Sequence, residues 1–175
     1  PFDAYELVKS LKSTLSIPIH MQTHATTGMS TATNMKAIEA GIDNIDTSIS
    51  SLSMTYGHTA TETMLAIFEN EEREINLDLS ALEEVSIFFK EIRDKYSEFE
   101  GNLKGVDSSM LVKQVPGGML SNLESQLRAN KQEDKIDLVK DEIPRVRKDF
   151  GYPPLVTPAS QIVGAQALLN IMSSR

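Results

Sequence analysis

The 175-residue chain has no cysteine and no tryptophan, and aromatic residues make up only 6% of it. Without cysteine there is no disulfide framework and no thiolate metal site, which fits a reducing, cytoplasmic setting. No apolar run approaches the roughly 20 residues of a membrane span. Positive charge is also scarce: 17 Lys and Arg stand against 25 Asp and Glu, a net charge of −8. The cations are scattered among acids, so the sequence carries no phosphate-binding stripe and predicts no nucleic-acid partner. What remains is ordinary for a globular domain, with 40% hydrophobic and 24% charged residues.

The most informative stretch is Ile17-Pro-Ile-His-Met-Gln-Thr-His-Ala-Thr-Thr-Gly28. It reads as a strand over 17–24 that turns through Gly28 into a helix. Strand side chains alternate between faces, so His20, Gln22 and His24 are predicted to share one. Imidazoles at the exit of a strand suit a barrel with its site at the C-terminal strand ends. Helical periodicity covers 2–14 and 30–40, and Gly41 supplies a left-handed cap. Residues 42–49 read as the next strand, which makes a right-handed, parallel βαβ unit. A Ser/Gly/Thr-rich loop follows, then a helix over 61–69.

From about residue 76 the pattern is helical only. Ser80-Ala-Leu-Glu83 reads as a capping box, and Leu82, Val85, Phe88, Phe89, Ile92 and Tyr96 as the buried stripe behind it. Further helices are predicted at 118–130, 132–148 and 158–173. Pro144 is expected to break or kink the second of these, and Thr157 to cap the last. Asn70 to Asp78 reads as a connector, with a solvated acidic run over residues 69–74. Two strands do not make a stable sheet by themselves. The fold class is therefore α/β: the C-terminal portion of a barrel, then a mostly α-helical region. The opening at Pro1, already inside a helical pattern, reads as a piece of a longer polypeptide.

Several stretches carry a resemblance. They are His24-Ala-Thr-Thr-Gly28, the run from Lys36 to Ser50, and Tyr56-Gly-His-Thr-Ala-Thr-Glu62. Gln114-Val-Pro-Gly-Gly-Met-Leu-Ser-Asn-Leu, Glu142-Ile-Pro-Arg-Val-Arg147 and the run from Leu155 to Gly164 continue it. In these the chain resembles the biotin-dependent carboxyltransferases, nearest the oxaloacetate decarboxylase α subunit and the two-subunit pyruvate carboxylase B chain. The resemblance implies a TIM (β/α)8 barrel, with residues 1–75 supplying its last two strands and 76–175 its helical C-terminal region. It implies carboxyl transfer between biotin and pyruvate or oxaloacetate through a metal-stabilised enolate. Biotin sits on a separate carrier domain, whose lysine motif this chain does not contain.

The resemblance also implies a zinc-like divalent metal, held in part by a His-x-His on the strand matching 17–24. Its second histidine matches His24, whereas its first is replaced here by Gln22, a poorer donor. No tight metal and no turnover are therefore expected of the isolated 175 residues. The implied catalytic hydroxyl matches Thr55 or Thr59. A carboxyl carrier domain, a homo-oligomeric (dimeric) assembly and, in a decarboxylase complex, a membrane subunit are the implied partners.

Other residues keep two readings. Asp46 and Thr47 either line the barrel mouth or cap a turn. His58 is either a proton-transfer group or a solvated turn residue. His20 is expected to be a buried hydrogen-bonding group, and Gly117-Gly118 a helix-leading turn. Two competing functions stand beside the carboxyltransferase: a non-catalytic helical docking module for partner subunits, and an aldol-type barrel like isopropylmalate synthase. The aldol-type motif continues into Asn-Asp, where this chain has Ala25-Thr26.

Overall fold

A computed structural model describes residues 1–69, 75–108, 110–113 and 115–173. The chain forms two compact units, residues 1–100 with 104–106, and residues 101–103 with 107–175. The first unit contains α1 (Phe2–Thr14), β1 (His20–Met21), α2 (Ser30–Glu39), β2 (Asn44–Ile45), α3 (Thr61–Phe68) and α4 (Leu79–Lys95). Strands β1 and β2 are parallel, pairing His20 with Asn44 and Met21 with Ile45. Gly41 leaves α2 with a φ of 91°, the left-handed cap its position predicts.

The strands are far shorter than the predicted 17–24 and 42–49. Backbone counts as strand only where a neighbour pairs with it, and among the described residues β1 has one neighbour, β2. The ladder continues a little further through Asn44 N–H to Ile19 O and Asp46 N–H to Met21 O. A third extended segment adds to it. Ser48 bridges Ala60 in parallel, with Ser48 N–H bonded to Thr59 O and Thr61 N–H to Ser48 O. Residues 59 and 60, predicted as loop, and Thr61 at the start of α3 therefore lie on a parallel edge.

Helix α4 departs from its predicted capping and burial. Its cap is Asp78, whose side chain accepts from Ala81 N–H, so Ser80 lies inside the helix and forms no capping box. The stripe is not core: Phe88 is 58% and Tyr96 60% exposed. Only the face bearing Leu82, Ser86, Phe89 and Arg93 is covered, against the 3-10 turn at Ser50–Leu52 and against α3. Ser86 Oγ and the Arg93 guanidinium reach Ser50 Oγ and Ser51 O across that contact. The helix thus belongs to the first compact unit, which runs to residue 100.

The second unit contains α5 (Met110–Lys113), α6 (Gly117–Ala129), α7 (Ile136–Asp149) and α8 (Ala159–Ser173). Helix α7 runs unbroken through Pro144. The proline removes one N–H from the helix ladder, but Val139, Ile143 and Val146 are buried on the opposite packing stripe and hold both halves. Helix α8 packs on α7 and α6 through Val163, Ala167 and Leu168. Gly117 and Gly118 form the first turn of α6 behind Pro116, as expected of a helix-leading turn. The acidic run beyond Glu69 lies outside the described residues.

Candidate active site

The site grows out of the turn that follows β1. Gly28 N–H closes a turn on Ala25 O, which ends the extended backbone and leads into α2. Just before that turn, half-buried His24 donates its Nδ1–H to Tyr56 O at 2.6 Å. A carbonyl only accepts, so Nδ1 carries a proton, and in the neutral ring that fixes the tautomer. The Nε2 lone pair is left available, the state in which histidine binds a metal.

Residues 52–58 form the opposing wall. Met54 and Thr55 adopt positive φ, 63° and 48°. The loop is cinched by Met54 N–H to His58 O and Gly57 N–H to Met54 O, both at 2.7 Å. A Cβ on Gly57 would meet Leu52 O at 3.0 Å and Met54 O at 3.2 Å, both backbone atoms that would have to give by a few tenths of an ångström. His58 donates Nδ1–H to Thr23 O at 2.9 Å, and its ring stacks on that of His24 with centroids 5.0 Å apart. His58 is therefore anchored, not a solvated turn residue. The pairing of residues 24 and 58 has only a faint signal in sequence: each follows an extended segment of the same parallel set, and such exits lie at one end.

The remaining candidates separate. His20 is exposed, not buried, and donates to Asp46 Oδ1 at 2.7 Å. It does not share the partners of His24. Thr47 Oγ1 accepts from the Thr61 hydroxyl, so neither Asp46 nor Thr47 serves as a simple turn cap. Gln22 is exposed, one residue past the last strand residue Met21. Thr59 is 1% exposed and bonded to the Ser30 and Thr31 hydroxyls. Thr55 stays half-buried within the loop.

Around the site, charge fixes backbone. Both carboxylate oxygens of Glu62 accept Ser50 N–H, tying the 3-10 turn to α3. Burial pushes that carboxyl up, and the hydrogen bonds from Ser50 outweigh it and hold it below the usual range. Asp43, at the mouth of β2, accepts from Lys12 Nζ and from Ile19 N–H, and these partners lower its carboxyl likewise. Among the described residues, no group of three or more His, Cys, Asp or Glu is placed to hold a metal ion. His24 supplies one imidazole donor of the three or four ligands that a zinc-type ion takes. No helix among the described residues is long and apolar enough to cross a membrane.

Residues 1–88 match the HMGL-like family, and residues 110–175 match the conserved carboxylase domain PYC_OADA. The chain is 49% identical over 174 residues to the methylmalonyl-CoA carboxyltransferase 5S subunit of Propionibacterium freudenreichii subsp. shermanii. That match covers 98% of the chain and 34% of the relative. It is 47% identical to the B component of pyruvate carboxylase from Methanocaldococcus jannaschii, covering 99% of the chain and 31% of the relative. The chain thus spans about a third of the length of these curated relatives. Among solved structures, the carboxyl transferase domain of Rhizobium etli pyruvate carboxylase with pyruvate and biocytin superposes with a TM-score of 0.91. The identity there is 32%, with 98% of this chain and 29% of that chain covered. The chain belongs to the HMGL-like family, and its residues 110–175 match the conserved carboxylase domain.

Proposed function

We propose that this chain is the closing part of a barrel carboxyltransferase that moves a carboxyl group between carboxybiotin and pyruvate or oxaloacetate. The observation that carries the reading is the tautomer of His24, locked by Tyr56 O with Nε2 left as an electron-pair donor beside the exit of a parallel strand. Residues 1–75 are read as the last barrel strands with their crossover helices, and 76–175 as the helical C-terminal region. The parallel edge of residues 19–21, 44–46 and 48 with 59–61 supports that reading.

A divalent ion, when bound, would polarise the keto acid's carbonyl and stabilise the enolate oxygen. Of this chain's residues, His24 would be a ligand, and Gln22 stands where the resemblance implies another imidazole. The chain's own contribution is then to hold the ring in one orientation with that nitrogen presented. The Gly57 loop provides that hold, and the buried Ser30–Thr31–Thr59 hydroxyl cluster fixes the loop's far end. Biotin is supplied by a carrier domain, and a dimer and a cytoplasmic setting belong to the same reading. The relatives that are B components of pyruvate carboxylases favour that role over an oxaloacetate decarboxylase α subunit with a membrane partner.

The test uses the full-length enzyme. His24→Ala is expected to lower pyruvate-dependent carboxyl transfer at least 100-fold and to reduce bound divalent metal, with the dimer intact. Unchanged transfer in that variant would sink the assignment and favour a docking module.

A further inference from the structure

Residues 100–106 carry no helix or strand, yet they reach both turns that build the site. Residues 104–106 belong to the first unit. A Cβ on Gly28 would meet Val106 Cγ1 at 3.0 Å, so the valine side chain lies directly on the turn that follows His24. Gly28 holds a φ of 80°, and with no side chain of its own it leaves a seat that Val106 occupies. Val106 is otherwise 60% exposed, so this contact stands apart from the apolar core.

The other end of the segment is held by charge. The Glu100 carboxylate accepts from Arg93 Nε, and from Lys104 Nζ at 3.4 Å. Arg93 in turn donates Nη1–H to Ser51 O at 2.7 Å, just ahead of the loop that carries Tyr56 O and His58. An exposed ion pair by itself contributes little. This one differs because the half-buried guanidinium is shared between the segment and a backbone carbonyl of the site. The two halves of the site meet through His24 Nδ1–H to Tyr56 O, His58 Nδ1–H to Thr23 O and Ala25 N–H to Gly57 O. Those three bonds survive only while the two turns keep their spacing.

We infer that residues 100–106 are a strap: Val106, seated on Gly28, and Glu100, acting through Arg93 on Ser51 O, are positioning residues that set the spacing between the turn after His24 and the loop bearing His58. Each acts from outside the imidazole pair, and neither touches it.

This inference rests on reading His24 as part of a carboxyltransferase site, and the experiment separates the two. Full-length enzyme is compared as wild type, Val106→Ala, Val106→Thr, Glu100→Ala and His24→Ala. Amide exchange is followed in peptides covering 24–31 and 51–58, and kcat and KM are measured for pyruvate-dependent carboxyl transfer. Val106→Ala is expected to speed exchange over 24–31, and Glu100→Ala over 51–58. Each should lower kcat roughly 10-fold with KM for pyruvate little changed, as expected when reacting groups are misplaced. Val106→Thr keeps the branched shape and should restore both exchange and kcat. Wild-type exchange in both peptides of Val106→Ala and Glu100→Ala would overturn the strap. So would faster exchange with wild-type kcat in those variants while His24→Ala is inactive. Wild-type kcat in His24→Ala would sink the carboxyltransferase reading instead, and the strap would then stand or fall on exchange alone.

Discussion

The two units are built on different interiors. In the second, the buried residues are large aliphatics: Leu120, Leu123 and Leu127 of α6, Val139, Ile143 and Val146 of α7, and Val163 and Leu168 of α8. Ser160 is its one buried polar residue among those described. In the first, the buried apolar residues include Ala25, Ala37 and Ala60, interleaved with buried Thr26, Ser30, Asn34, Ser53 and Thr59. Asn34 is 0% exposed with both amide atoms unpartnered among the described residues. Burying apolar area is what drives folding, whereas buried polar groups cost free energy unless bonded. The helical unit is therefore organised for stability. The strand-bearing unit gives up apolar burial for oriented hydrogen bonds, and those bonds hold the imidazoles in place.

Several measurements break or sharpen that contrast. The largest effect is expected from Leu127→Ala in α6, which empties a fully buried site and should cost about 2–5 kcal/mol in urea unfolding. Amide exchange should accelerate in α6, α7 and α8 first, and an equal loss of protection around residues 59–61 would erase the distinction between the units. Next is Gly57→Ala, whose Cβ would crowd Leu52 O and Met54 O. A cost of about 1–3 kcal/mol in urea unfolding is expected, because the loop that carries Tyr56 O and His58 must shift.

Thr59→Val removes the hydroxyl shared by Ser30 and Thr31, and about 1–2 kcal/mol is expected from the donors and acceptors left buried. Combined with Ser30→Ala it should cost less than the sum, since both single changes break one bond; additive costs would refute the cluster. The smallest effect belongs to Asp43→Asn. The Asp43 carboxyl is lowered in the folded state, so its stabilisation is present above the unfolded value near pH 4 and is lost as pH falls through the folded value. The variant should lose that small stabilisation at neutral pH, flatten the acid limb of the stability curve below about pH 4, and converge on wild type at lower pH. An unaltered acid limb would mean the Lys12 and Ile19 bonds do not survive in solution.

Where periodicity was long, the sequence was readable. Helices α1, α2, α6 and α8 fall within a few residues of their predicted spans, and Gly41 ends α2 as its position demands. The strands were legible in place and direction but not in length, because pairing depends on a neighbour that local pattern does not contain. Helix α4 shows the same limit. Its apolar stripe is plain in the sequence, yet which part is covered depends on the 3-10 turn at Ser50–Leu52, some thirty residues away in the chain.

The candidate site divides in the same manner. His24 was visible as a motif residue, whereas the burial of Thr59 and its hydroxyl partners had no local signal. His58 looked like a loop histidine, because nothing local distinguishes an anchored imidazole from a solvated one.

By itself the order of residues determined the helices, the parallel βαβ sense and the family, since these follow from spacing, caps and contiguous motifs. Only the tertiary structure decided the tautomer of His24, the stack with His58 and the buried state of Thr59. Each of those depends on groups about thirty residues apart in the chain, brought within hydrogen-bonding or stacking distance by folding.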